Sequence, residues 1–236
     1  MKLNKFCDYR DFRDEKFKSL LNNIQSEIGS YMKFTGTISR KVWETSICVL
    51  AMQEYGYLDG TKSILNIGSG CERIILYLSN RVKEIVCIDK FEHEDSREPL
   101  LKKKRNPHQI IQNYFRKDTF RKAKFNRNTI KPIVMDGLDL KFKNNTFDGI
   151  FSVSSMEHFG DLGLAYKEAI RVLKPNGMFF ISIDVEPNKK GIERIRSAIP
   201  SNTKLIEKIG SIHTYKIDGI NKTWNEAPFV TIGVKK

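Results

Sequence analysis

The chain has 236 residues, of which 40% are hydrophobic, enough to fill the core of one sizeable domain. Its 41 Lys and Arg against 28 Asp and Glu give a formal net charge of +13, which favours anionic partners without specifying a fold. No stretch approaches the roughly eighteen apolar residues of a membrane span and no apolar leader segment stands at the N-terminus, so a cytoplasmic protein is expected.

Cysteine usage argues against a disulfide framework and against a zinc site. The chain contains four cysteines, none of them in a C-x-x-C pair, and two lie within apolar runs. We therefore expect free thiols in a reducing compartment and no metal site. The cysteines are Cys7, Cys48, Cys71 and Cys87.

Residues 1–60 are predicted to form an N-terminal helical cap. Apolar residues recur every three or four positions within 14–28 and again within 39–60, as on one face of an amphipathic helix. Three side chains shortly before the first predicted strand are predicted either to close over a ligand or to lie on a surface helix. They are Arg40, Trp43 and Glu44.

From Ser63 onward, short apolar strands alternate with longer helical segments. This order favours parallel strands joined by right-handed crossovers. The sequence therefore predicts an α/β protein with a doubly wound, mostly parallel, Rossmann-like sheet. The predicted strands are 63–67, 84–89, 132–136, 147–155, 177–185, 203–209 and 229–236, and the predicted helices are 72–80, 164–173 and 191–199.

A basic insertion, residues 97–131, interrupts this alternation. It holds twelve Lys or Arg, two acidic residues and four interleaved aromatic residues, with poor periodicity. A helical insertion of this composition either contacts phosphate groups, in RNA, a nucleotide-activated sugar or a lipid-linked phosphate, or forms a solvated lid.

A glycine-containing turn directly follows the first predicted strand, in the sequence "ILNIGSGCER". Gly68 and Gly70 leave the backbone and a helix N-terminus open to a nucleotide-like ligand, although a tight turn also needs glycine. Asp89 ends the second strand nineteen residues later, where a carboxylate can accept both ribose hydroxyls. A dinucleotide-binding dehydrogenase would have a third glycine at position 73, which is Arg73 here.

Four segments in order resemble the motifs of class I S-adenosylmethionine (SAM) dependent methyltransferases. They are "ILNIGSGCE", "IVCID", "IVMDGLDLKFKNNTFDGIFSVSSMEHFGD" and "AIRVLKPNGMFFIS", within residues 61–185. The chain resembles the type 11 methyltransferases, and "SVSSMEHFGD" followed by "RVLKPNG" is similar to a branch of the family associated with sugar and surface-glycan modification. The resemblance implies the class I fold in a single domain: a cap over 1–60, a SAM-binding core over 61–185 carrying the insertion, and a C-terminal helix with strands over 186–236.

The resemblance also implies a set of cofactor-binding residues. The turn would line the methionine and ribose, Asp89 would hold the ribose, and Asp136 would accept from the adenine amino group. Two residues depart from the family pattern: Asn66 replaces the usual acid and Glu72 the third glycine. The implied set is Asn66, Gly68, Ser69, Gly70, Asp89, Asp136, Gly137, Leu138 and Ser154, with Ser155 as the alternative to Ser154.

Methyl transfer by this family implies an acceptor and, for a hydroxyl acceptor, a base. Glu157 and His158 follow the fourth strand and are the catalytic candidates; Asp184 and Glu186 either contact substrate or are solvated. The expected acceptor is a small molecule or a sugar or glycan hydroxyl or amine, phosphorylated acceptors included. Two alternatives stay open: an RNA or protein methyltransferase that uses the basic insertion, and a catalytically silent SAM-binding module. The sequence leaves the oligomeric state open.

Overall fold

The computed structural model describes residues 5, 7–29, 40–70, 72–90, 123–186, 188–206 and 227–236. Within these residues seven strands form one sheet. In chain order they are β1 (Ser63–Ile67), β2 (Glu84–Asp89), β3 (Ile130–Val134), β4 (Phe147–Val153), β5 (Leu173–Val185), β6 (Thr203–Leu205) and β7 (Ala227–Lys235).

The sheet is mostly parallel, with the strand order β3-β2-β1-β4-β5-β7-β6. Strands β1 to β5 run parallel, and β7 pairs antiparallel with both β5 and β6. The order reverses between β1 and β4, which is the position where doubly wound sheets open a crevice beyond the carboxyl ends of their strands. The predicted fold class is confirmed.

Helices cover both faces of the sheet in two packed layers. One hydrophobic cluster joins the first three helices to the sheet, and a second cluster joins the last two to its other face. Short 3-10 turns occupy Tyr9–Arg13, Arg127–Thr129 and Met156–His158. The helices are α1 (Glu15–Ile28), α2 (Arg40–Glu54), α3 (Ile74–Ser79), α4 (Leu162–Val172) and α5 (Lys189–Ala198).

Local sequence explains where these elements begin. The central strands are Ile- and Val-rich and buried along nearly their whole length, as expected for parallel strands covered on both faces. Side chains cap three helices: Asp14 accepts from the Phe17 N–H (3.0 Å), Asp161 from the Leu164 N–H (2.9 Å) and Asn188 from the Gly191 N–H (3.0 Å).

The element predictions hold for the core and shift at some boundaries. Strands β1 and β2 have the predicted bounds, whereas β3 begins at Ile130 and ends at Val134, two residues earlier than predicted. The difference arises because Ile130 already pairs with Ile85 of β2, so pairing begins before the proline. Residues 97–122 of the basic insertion, residues 30–39 of the cap and Cys71 lie outside the described residues.

Helix α2 is an interior helix, so the surface-helix interpretation is wrong for two of its residues. Trp43 and Glu44 are each 0% exposed. The Trp43 indole N–H donates to Asp11 Oδ2 (2.8 Å), which joins the 3-10 turn Tyr9–Arg13 to α2. Arg40, at the first turn, is partly exposed and forms an ion pair with Asp184. Helix α2 is buried because it packs between α1 and strands β4, β5 and β7.

The free-thiol prediction is confirmed for the cysteines that the structure describes. Cys48 and Cys87 are buried and Cys7 is partly buried, all of them unbridged. Among the described residues, no helix has the length and apolar character needed to cross a membrane.

Candidate functional site

The turn after β1 is built from backbone in the left-handed region. Gly68 has φ +68° and Gly70 has φ +41°. The Ser69 N–H donates to the Ile88 carbonyl (2.9 Å), and the Gly70 N–H donates to Asp89 Oδ2 (2.9 Å). The carboxylate that ends β2 therefore lies directly against the glycine turn that ends β1. The structure brings these predicted site residues together.

The opposite side of the crevice closes tightly over two of the glycines. A Cβ on Gly68 would lie 1.9 Å from Ser155 Oγ and 3.2 Å from the Phe159 ring, and a Cβ on Gly137 would lie 2.2 Å from that ring. The glycines at 68 and 137 thus make room for Ser155 and Phe159 of the β4–α4 connection. Sequence reasoning missed Phe159, although its position shortly after β4 places it at the same edge of the sheet.

Asp136 lies two residues beyond the end of β3, where a hydrogen bond and an ion pair hold its carboxylate. Its Oδ1 accepts from the Leu138 N–H (2.9 Å), and its Oδ2 lies 2.7 Å from Lys90 Nζ. The Lys90 hydrogen bond holds the pKa of Asp136 below its ordinary value. Because both side chains of the pair are well exposed, at 51% and 39%, the pair is screened by solvent and an incoming hydrogen-bond donor can compete with Lys90. Sequence reasoning did not identify Lys90.

Two buried polar atoms near the glycine turn have no partner among the described residues. They are Asn66 Nδ2, in a residue 1% exposed, and Ser69 Oγ, in a residue 3% exposed. Both groups can donate hydrogen bonds. Buried donors without partners are costly in a folded protein, so their presence at the end of β1 fits a ligand that carries acceptor atoms, such as a carboxylate.

The two serines after β4 point in different directions. Ser154 has φ +47°, and its hydroxyl donates to Glu44 Oε1 of α2 (2.5 Å). Its N–H donates to the Ser182 carbonyl (2.8 Å). The side chain of Ser154 therefore engages α2, while Ser155 is the residue that lies against Gly68.

Glu44 is a fully buried carboxyl beneath this edge of the sheet. Its Oε1 accepts from the hydroxyls of Ser154 and Ser182 (2.5 and 2.7 Å), while Oε2 is buried without a partner among the described residues. Burial raises the pKa of Glu44 above its ordinary value, because removal from water disfavours the charged form. The spacing of sequence motifs gives no signal for this contact, which spans 110 residues.

We expect Glu44→Gln to stabilise the protein at alkaline pH. A carboxyl with a raised pKa binds its proton more tightly in the folded state, so stability is lost as pH rises above the unfolded value, ordinarily 4.5. Glutamine keeps the acceptor for both serines and never ionises. The Tm of the variant should exceed that of the wild type at roughly pH 8, and the difference should shrink at roughly pH 5. A Tm difference that is the same at both pH values would contradict this assignment.

The two predicted catalytic residues differ in burial and in partners. Glu157 Oε1 accepts from the Asp184 N–H of β5 (3.0 Å), its Oε2 is buried without a described partner, and burial raises the pKa of Glu157. His158 is exposed, and its backbone N–H donates to the Ser155 carbonyl (3.0 Å). Glu157 is thus held against β5, while His158 is exposed but still acts electrostatically on Glu157.

Asp184 is a third carboxylate, besides Glu44 and Glu157, near the carboxyl ends of β4 and β5. Its Oδ2 forms an ion pair with Arg40, and its Oδ1 is buried without a described partner. Within the part of the chain that the structure describes, no group of His, Cys, Asp or Glu is arranged to hold a metal ion.

Comparison with known proteins identifies the domain. The methyltransferase domain family matches residues 65–181, just under half of the chain. A curated relative, demethylmenaquinone methyltransferase of Corynebacterium kroppenstedtii, is 32% identical over 94 residues, covering 38% of this chain and 41% of the relative. The curated relatives are matched over only 12–41% of their own lengths.

Solved structures match over nearly the whole chain and show the fold. A Methanococcus maripaludis protein described as an S-adenosyl-L-methionine-dependent methyltransferase has a TM-score of 0.53 at 16% identity, covering 96% of this chain and 91% of that one. The [4+2]-cyclase SpnF has a TM-score of 0.55 at 15% identity, covering 93% and 92%.

Proposed function

Since residues 65–181 belong to the methyltransferase domain family and the fold is that of class I SAM-dependent methyltransferases, we propose that the protein transfers a methyl group from SAM to an acceptor. One observation carries the proposal: the glycine turn, Asp89 and Asp136 follow β1, β2 and β3 at one edge of the sheet, with Asp89 held on the turn by the Gly70 N–H.

The residues present fit the cofactor. Asp89 would accept from the ribose hydroxyls, and Asp136 with the Leu138 backbone would meet the adenine. The unpartnered donors of Asn66 and Ser69 would meet the methionine carboxylate. When bound, SAM supplies an electrophilic methyl group on a positively charged sulfur.

The order of the strands indicates how the cofactor would be oriented and from which side the acceptor would enter. With the cofactor held by these residues, the adenine would lie over β3, the ribose over β2 and the methionine over β1, and the acceptor would enter over β4 and β5, the next strands in the sheet. Catalysis then depends on holding the acceptor atom about 3 to 3.5 Å from the methyl carbon. Ser155 and Phe159 close one wall of the crevice, and Glu157, a partly buried carboxyl bonded to the Asp184 N–H, would take a proton from the acceptor.

A small-molecule acceptor is the proposal that the relatives favour. The curated relatives include a sterol 24-C-methyltransferase and a demethylmenaquinone methyltransferase, whose named acceptors are small molecules. A glycan acceptor and an RNA or protein acceptor are the other outcomes of the test below. The residues 97–122 that motivated the nucleic-acid alternative lie outside the described part of the chain.

The test is transfer of a radiolabelled methyl group from SAM to cell extract separated into small-molecule, glycan, RNA and protein fractions. Label in the small-molecule fraction supports the proposal. Label in the glycan, RNA or protein fraction instead would show that the acceptor belongs to that class. The SpnF fold shows that this architecture also serves a cyclase, so binding of SAM without label in any fraction would contradict methyl transfer.

We expect His158→Ala to lower turnover more than it weakens SAM binding, since the residue follows β4 on the acceptor side. The measurement compares label transferred per minute with the Kd for SAM from calorimetry. Glu157→Gln is the companion variant, because it removes the buried acid and leaves the exposed imidazole. Unchanged turnover in His158→Ala would remove the histidine from the mechanism.

A further inference from the structure

Three carboxylates converge at the carboxyl ends of β4 and β5, and each has one oxygen that is buried without a described partner. We define this acid cluster as Glu44, Glu157 and Asp184. Their partnered oxygens are held by serine hydroxyls, a backbone N–H and the Arg40 guanidinium. Glu157 accepts from the Asp184 N–H (3.0 Å) and Glu44 accepts from the Ser182 hydroxyl (2.7 Å), so all three lie around the last residues of β5.

Among the described residues, the cluster has fewer Lys and Arg side chains than carboxylates. Arg40 pairs with Asp184, while Lys41 donates to the Val153 carbonyl (3.0 Å) and lies 3.3 Å from Glu72 Oε2. With Glu72 included, these four carboxylates face two Lys or Arg side chains among the described residues, and the His158 imidazole also acts electrostatically on Glu157. Glu44 is 0% exposed, and a buried carboxylate oxygen without a partner is a strong cost unless a donor arrives.

The chemistry of the absent donor can be narrowed. Carboxylate oxygens accept hydrogen bonds and attract positive charge, and an alkylammonium ion supplies both the donors and the charge. Neighbouring strands lie about 4.8 Å apart, so the ends of β4 and β5 stand roughly 5 to 10 Å from the end of β1. That is the acceptor side of the proposed methyl-transfer site.

We propose that the acid cluster binds the acceptor, and that the acceptor is an amine that enters as an ammonium ion. This inference rests on the proposed function and names the acceptor class for the same site. Glu44, Glu157 and Asp184 accept hydrogen bonds from the ammonium through their unpartnered oxygens. A hydroxyl acceptor carries no charge and would not need a group of carboxylates around it.

The proton and electron changes balance without a further reactant. A carboxylate of the cluster takes one ammonium proton, and the freed nitrogen lone pair forms the new N–C bond. The methyl carbon–sulfur bond breaks with its electron pair left on sulfur, so positive charge moves from sulfur to nitrogen. A set of carboxylates fixed on the acceptor side stabilises that developing charge.

The test uses three probes with the same carbon chain. The full protein is first titrated with S-adenosylhomocysteine, the demethylated product of SAM, and the loaded protein is then titrated calorimetrically with n-butylammonium, 1-butanol and butyrate. We expect saturable binding of n-butylammonium alone. Asp184→Asn and Glu157→Gln should each weaken that binding at least tenfold. Glu193→Gln on α5, which removes an exposed carboxylate outside the cluster, should leave it unchanged.

The outcomes separate this inference from the proposed function. Failure of S-adenosylhomocysteine to bind overturns the methyltransferase proposal, and the inference falls with it. If S-adenosylhomocysteine binds but 1-butanol binds as tightly as n-butylammonium, or none of the three probes binds, the amine inference is wrong while the cofactor site stands. Unchanged n-butylammonium binding in folded Asp184→Asn and Glu157→Gln also overturns it, with circular dichroism to confirm folding.

Discussion

Replacing Asp89 by alanine should weaken SAM binding by at least about 100-fold. The carboxylate would accept two ribose hydroxyls, and hydrogen bonds to a charged group contribute about 1.5 to 3 kcal/mol each, with each 1.4 kcal/mol equal to tenfold in affinity. Asp89 also accepts from the Gly70 N–H, so the alanine variant loosens the turn on which the methionine end would rest. Calorimetric titration of the variant with SAM measures the effect.

Asp139→Ala is the matched control for this loss. Asp139 lies at the same edge of the sheet, three residues beyond Asp136, but its side chain is 63% exposed and pairs with Lys141. The control removes the same charge and should bind SAM as the wild type does. Equal affinities for Asp89→Ala and the wild type would show that Asp89 does not hold the ribose.

The second large effect is expected from Gly68→Ala, which we expect to destabilise the protein by about 3 kcal/mol. An alanine at φ +68° pays roughly 1 to 2 kcal/mol for the left-handed backbone. Its Cβ would also lie 1.9 Å from Ser155 Oγ and 2.6 Å from Ser155 Cβ, and such overpacking costs typically about 1 to 3 kcal/mol. Urea unfolding measures the sum, and SAM affinity should fall as well because Ser155 must move.

Gly60→Ala separates the two contributions. Gly60 has φ +82°, and nothing lies within 4 Å of the Cβ that an alanine would add, so this variant carries the backbone cost alone. Adding Ser155→Gly to Gly68→Ala should restore part of the lost stability, because it removes the two closest atoms. If Gly68→Ala and Gly60→Ala lose equal stability, the close contact between Gly68 and Ser155 is not present in solution.

The strands and the turn could be predicted from the sequence because their signals are local. An apolar run followed by Gly-Ser-Gly, and Asp89 at the end of the next apolar run, place a turn and a carboxylate at neighbouring strand ends once the strands are taken as parallel. Asp136 was implied by the family resemblance, and the strand before it ends two residues earlier than predicted.

Contacts between distant elements could not be predicted in this way. Periodicity places Glu44 on a helix, but its bond to Ser154 spans 110 residues and depends on how α2 packs on β4 and β5. The positions of Phe159 against Gly68 and Gly137 likewise depend on the path of the β4–α4 connection. The sequence therefore predicted that the glycine turn lets a ligand come close to the backbone. The structure adds a second reason for glycine at position 68, because Ser155 and Phe159 pack closely against it.

A crystal structure of the protein with S-adenosylhomocysteine bound tests most directly whether the end of the parallel sheet is where the nucleoside sits. We predict the ribose hydroxyls on the Asp89 carboxylate, the adenine beside Asp136 and Leu138, and the sulfur directed toward the ends of β4 and β5. A ligand bound elsewhere on the protein, or bound with Asp89 and Asp136 contacting neither ribose nor adenine, would contradict the assignment.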